Sequence, residues 1–124
     1  MDTKNLAALS QSRSAIFTTK EPPQEQVNTL VQLLKDQNYD SAEALALTLT
    51  RKFPSHQMSF KVLGVILTRA GRVSDALKPS QKSVALSPQD AEAHYNLAII
   101  LYELGQFNEA ISTIQMARSQ HPLA

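Results

Sequence analysis

The stretch Ala91–Pro122, AEAHYNLAIILYELGQFNEAISTIQMARSQHP, decides the fold, because it reads as two helices joined at Leu104-Gly105-Gln106. Stepping back 34 residues from Ala98, Ala110 and Pro122 gives Gly64, Ala76 and Pro88; a second step gives Leu30, Ala42 and Pro54. A fixed period in this range marks an architecture of stacked supersecondary units, each too small to bury its own apolar face. Three units follow, near 23–54, 57–88 and 91–122. The spacing predicts an all-α solenoid of antiparallel helix pairs with about six helices.

Composition limits what such an object does. At 43% apolar, a chain of 124 residues has enough material for one buried core. Its 12 basic and 11 acidic residues leave a net charge of +1, which gives no electrostatic reason to expect nucleic acid or an anionic membrane as partner. The absence of Cys excludes disulfides, thiolate metal sites and Cys nucleophiles, and fits a reducing, cytoplasmic setting. No apolar run approaches the roughly 20 residues needed to span a bilayer.

The units carry their own punctuation. Residues 1–21 stand outside the period and read as a mobile tail, with a docked extra helix or a targeting segment as alternatives. From residue 22 to 124 the repeat domain follows. Helix starts are expected at Pro23, after Asp40 with Glu43 completing a capping box, after Ser55, and after Ser74. Gly71 suits a left-handed C-cap. The run Ser87-Pro88-Gln89-Asp90 offers an N-cap, a Pro in the first turn and an acid at the third position. Pro79 opposes its own helix; with Ser74 as N-cap it falls in the fifth helical position and costs about 3 kcal/mol. A kinked or late-starting helix near Asp75–Ser80 is the expectation.

Small residues at Ala98, Ala110 and Ala117, large ones at Leu97 and Leu101, Gly105 at the junction and Pro122 at the end resemble the tetratricopeptide repeat. The departures are His94 where the family often has Trp, Leu30 where it has Gly or Ala, and Gln37 where it usually has Gly. The resemblance implies a right-handed superhelix whose first helices line a concave groove.

Each first helix carries a second apolar row besides its packing row. In the third unit this is Tyr95, Ile99 and Tyr102, spaced i, i+4, i+7 on one face. The equivalents are Lys61, Val65 and Thr68 in the second unit and Val27, Val31 and Leu34 in the first. The resemblance places these rows in the groove, with Arg69 and Lys35 beside them. Tyr95, Tyr102 and Val65 are then the apolar floor, and Lys61 and Arg69 favour a ligand carrying acids next to apolar residues. Asn28 and Asn96 share one position, with Val62 between them; the run around Asn96 is similar to the asparagine ladder of O-linked N-acetylglucosamine transferases. The alternative for the rows is that they finish the inter-repeat core or are covered by the N-terminal tail through Leu6, Leu9, Ile16 and Phe17.

No chemistry is expected. His56, His94 and His121 lie at least 27 residues apart, so no pair has metal-ligand spacing on a helix. His94 is assigned to packing. Gly64, Gly71 and Gly105 form no phosphate loop, and the carboxylates at helix starts are explained by capping. The sequence reading is therefore a module without catalytic, cofactor-binding or metal residues that holds a protein or peptide. Two alternatives stand beside it. One is the recognition region of a larger enzyme of the sulfotransferase, glycosyltransferase or prolyl hydroxylase type, favoured by the stop at Pro122-Leu123-Ala124 without a polar capping helix. The other is pairing of two copies through the uncapped third unit, whose Ile111, Ile114 and Met116 lack an obvious cover.

Overall fold

A computed structural model describes residues 21–120. The expected tail, His121 and the terminal Pro122, Leu123 and Ala124 lie outside the described residues, apart from Glu21. Among the described residues six helices occur in order: α1 (Gln24–Lys35), α2 (Tyr39–Lys52), α3 (Gln57–Arg69), α4 (Val73–Leu86), α5 (Ala91–Glu103) and α6 (Phe107–Gln120). They pair as α1/α2, α3/α4 and α5/α6, and the second helix of each pair packs on the first helix of the next. First helices also touch one another across pairs. The result is the all-α repeat solenoid that the period implies.

The turn inside each pair recurs with the same period. Gln37, Gly71 and Gly105 all have positive φ, at 59°, 79° and 81°. Each is followed by an N–H that reaches back to a carbonyl five residues earlier: Asn38 to Leu33, Arg72 to Leu67 and Gln106 to Leu101. This is the Schellman closure of a helix C-terminus. The carbonyls of Asn38, Arg72 and Gln106 then accept the first bonds of the second helices, from Ala42, Ala76 and Ala110. So tight a junction leaves no room for a separate cap. Hence α2 starts at Tyr39 rather than after Asp40, and α4 at Val73 rather than after Ser74.

Gln37 is the one member of the trio with a side chain in the left-handed region, which costs an L-residue about 1–2 kcal/mol. Part of that gain on substitution is offset by the greater freedom of glycine in the unfolded chain. Gln37→Gly is expected to stabilise the domain by about 0.5–1 kcal/mol. A thermal melt followed by circular dichroism checks this; an unchanged or lower midpoint counts against it.

Turns between pairs follow a second rule. Phe53 and Ser87 close α2 and α4, and a turn bond from His56 N–H to Phe53 O, or Asp90 N–H to Ser87 O, carries the chain past Pro54 or Pro88. The expected caps therefore shift. His56, not Ser55, precedes α3, and Asp90, expected inside the first turn, is the N-cap of α5, accepting from the Ala93 N–H at 3.2 Å. Pro79 does not delay α4, which starts at Val73 and runs through it to Leu86.

Two apolar clusters fill the interior. The larger contains Leu30, Leu49, Phe53, Leu63, Ile66 and Leu67 and reaches into α5 through Ile100. The smaller joins Leu97, Leu101 and Ala110 to Leu77 and Val84. Small residues set the approach of paired helices. A Cβ at Gly64 would run into Ser80 Oγ, so α3 and α4 approach closely there. His94 is buried, as its packing assignment requires, and its Nε2 donates to the Pro88 carbonyl at 2.8 Å.

Candidate functional site: a groove and an apolar end face

The first helices of the three units converge on an open groove of about 460 Å³. Leu34 comes from α1, Val65, Thr68 and Arg69 from α3, and Glu92, Asn96 and Ile99 from α5. Six of the residues assigned to the groove from sequence thus lie together. Thr68 spends its hydroxyl on the Gly64 carbonyl of its own helix, at 2.7 Å. Arg69 is exposed, and its Nη1 reaches the Tyr39 hydroxyl at 3.4 Å. No carboxylate among the described residues is within ion-pair distance of it.

Lys61 has a different role. Its ammonium lies 2.8 Å from Asp90 Oδ2 and 2.9 Å from Glu92 Oε1, both at the start of the next unit. Gln57 Nε2 also donates to Asp90 Oδ2, at 2.9 Å, and to Ser83 Oγ. Burial pulls the Lys61 pKa down, but the hydrogen bonds to Asp90 and Glu92 outweigh it and hold it above the usual value. Burial pushes the Asp90 carboxyl up, and the bonds from Lys61, the Ala93 N–H and Gln57 more than reverse that. Lys61 is therefore a clasp between repeats, not a cation open to a ligand. Glu92 enters the groove already neutralised, which leaves Arg69 as its uncompensated charge.

The remaining assigned residues separate. Val27 is buried and Val31 half-buried. Asn28 is exposed and its Oδ1 accepts from Gln24 at 3.0 Å, outside the groove lining. Only the Asn96 rung of the supposed asparagine ladder faces the groove. Lys35 is exposed at the end of α1.

Tyr95 and Tyr102 line a second concavity of about 730 Å³, with Ile99 shared between the two. Its other walls are Ala98, Glu103, Phe107, Ala110, Ile111 and Ile114. Tyr102 stands edge-on to Phe107, ring centres 5.2 Å apart. The surface is the outward face of α5 and α6, the last helix pair among the described residues. The residues 34 positions upstream of Ile99, Tyr102, Phe107 and Ile111 are Val65, Thr68, Val73 and Leu77, all half-buried because the next unit covers them. Their third-unit counterparts are exposed by 51%, 65%, 53% and 54%. The tyrosine row is thus more open than the half-buried positions one unit upstream. Phe107 was not singled out from sequence; its period-mates Tyr39 and Val73 mark it as a stacking position.

Models of the tetratricopeptide repeat match the chain over residues 32–91 and 67–124. The chain is a tetratricopeptide-repeat protein. It is 32% identical over 68 residues to the peroxisomal targeting signal receptor of Kluyveromyces lactis, a match covering 55% of this chain and 12% of the receptor. Among solved structures, MamA of MSR-1 superposes with a TM-score of 0.72 at 21% identity, over 90% of this chain and 63% of that one. A mutant of the Thermobaculum terrenum O-GlcNAc transferase gives 0.75 at 21% identity, over 81% of this chain and 19% of that one. This repeat protein thus spans about an eighth of the receptor it matches and under two thirds of these two structures. At such identities the structural likeness establishes the solenoid alone. Repeats of this kind make the chain a protein-interaction module. Among its described residues no group of three or more His, Cys, Asp or Glu is placed to hold a metal ion, and no helix is long and apolar enough to cross a membrane.

Proposed function

We propose that the groove between α1, α3 and α5 holds a segment of another polypeptide, with an apolar side chain on Leu34, Val65 and Ile99 and an acidic one at Arg69. The observation that carries this reading is the convergence of Leu34, Val65, Arg69, Asn96 and Ile99 on one concavity. An apolar floor with a few polar groups at its edge fits a short extended or helical ligand. Arg69 supplies the charge preference, and Asn96 brings both a donor and an acceptor for backbone groups. The relative from Kluyveromyces lactis is by name a receptor for a peroxisomal targeting signal, and its similarity supports a receptor-like use of the groove.

Peptides selected on the immobilised chain from a random library test this. The expected winners carry an acid next to a large apolar residue, and Arg69→Ala together with Val65→Ser weakens them by roughly tenfold or more. Tyr102→Ala, on the end face, is expected to leave them within about twofold, as substitutions outside an interface core do. Winners that bind the Arg69/Val65 variant as well as wild type, or that are lost with Tyr102 alone, would remove the groove from consideration.

A further inference from the structure

The two ends of this solenoid are chemically unlike, and the difference selects an occupant for the apolar one. On α1 the outward positions are Glu25, Thr29 and Gln32, all exposed. The same positions one unit on are Ser59, Leu63 and Ile66, and in the third unit Ala93, Leu97 and Ile100, every one buried. The first unit thus carries polar residues where the later units carry buried stacking ones. The opposite end keeps Tyr102, Phe107 and Ile111 open.

Head-to-tail stacking of copies would press that apolar end against the polar front of α1 and leave its hydrophobic atoms facing carboxylate and amide groups. Pairing the two apolar ends covers both with like surface, and a two-fold axis closes the assembly at two. The rim charges agree with this. Glu103 borders the concavity at the α5/α6 turn, and Arg118 continues the stripe Phe107, Ile111, Ile114 toward the far end of α6, at i+4 and i+7 from the two isoleucines. A rotation of 180° about an axis through the middle of the stripe brings Glu103 of each copy toward Arg118 of the other. The face is therefore self-complementary in polarity and in the charges at its rim.

We infer that the end face formed by α5 and α6 is a homodimer interface in which two copies meet apolar end to apolar end. This surface shares Ile99 with the groove, but Glu103, Ile111 and Arg118, at which it is tested, lie outside the groove lining, so its success or failure is distinguishable from that of peptide binding there.

Light scattering on the full chain from micromolar to near-millimolar concentration tests it. The expected mass rises to twice 13.7 kDa and stops there. Ile111→Glu is expected to be monomeric with unchanged helical circular dichroism. A folding defect in that variant is bypassed by the charge swaps: Glu103→Arg or Arg118→Glu alone weakens the dimer by roughly tenfold, and the double swap restores it. A monomer throughout the range overturns the inference, including the case in which residues 1–20 cover the face. Growth beyond two copies, or single swaps with no effect, overturns the two-fold arrangement.

Discussion

Ile66→Ala is expected to cost about 2–5 kcal/mol, the range for truncating a fully buried branched side chain. Ile66 is 1% exposed and sits in the larger cluster, which joins residues of the first and second units. Its removal takes dispersion contacts from both sides of one inter-repeat seam, and the backbone of a tightly turned helix pair has little freedom to collapse into the void. The domain has about 100 described residues, for which each kcal/mol lowers the melting point by about 4–8 °C. Gln32 occupies the same position in the first unit and is exposed; Gln32→Ala is expected to stay within about 0.5 kcal/mol. Urea melts of the two variants check the pair. Equal effects would mean that the front of α1 is covered in the folded protein and that the polar end described above is not an end.

The period carried the architecture because the residues that repeat, Leu30/Gly64/Ala98 and Ala42/Ala76/Ala110, fix the closeness of paired helices. That is a short-range steric demand which a sequence displays directly. Helix starts were less legible. Asp40 and Ser74 have the chemistry of N-caps, but the left-handed residues at 37, 71 and 105 close each first helix and open the second within two residues, and Ser55 yields to His56 in the turn past Pro54. Turn geometry overrode side-chain preference. The site shows the same division. Val65, Arg69 and Asn96 lie where the pattern puts them, since each is fixed by its own helix face. Tyr95 and Tyr102 instead line the concavity of α5 and α6, although Tyr102 holds the repeat position of Thr68, which lines the groove. One repeat position thus faces different surroundings in different units, which a within-helix spacing does not reveal. Lys61 was misjudged for a related reason: its partners Asp90 and Glu92 lie a whole repeat downstream, beyond the reach of any within-helix spacing rule.

Asp90→Ala is expected to lose about 2 kcal/mol, and the loss is expected to depend on pH. One part is the N-cap of α5, worth about 1 kcal/mol through the Ala93 N–H. The other is the bridge to Lys61, whose side chain is 19% exposed against 24% for Asp90. A pair so partly shielded is worth about 1 kcal/mol after allowance for solvent. Asp90→Asn separates the two, because Asn caps a helix as well as Asp does but carries no charge; it is expected to lose about half as much. Glu92→Ala removes an acid whose side chain is 74% exposed and is expected to change stability little. The folded pKa of Asp90 lies below its ordinary 3.8, so its ionic contribution is complete above that value and is lost as the pH falls through the folded one. Lys61 is raised above 10.5, so its share is complete below that value and disappears as the pH climbs through the folded one. Melts of wild type and Asp90→Asn are thus expected to differ across the neutral range and to converge in strong acid, where Asp90 itself becomes uncharged. A gap that persists unchanged into acid would locate the stabilisation in capping geometry and deny the ion pair any part in joining the second unit to the third.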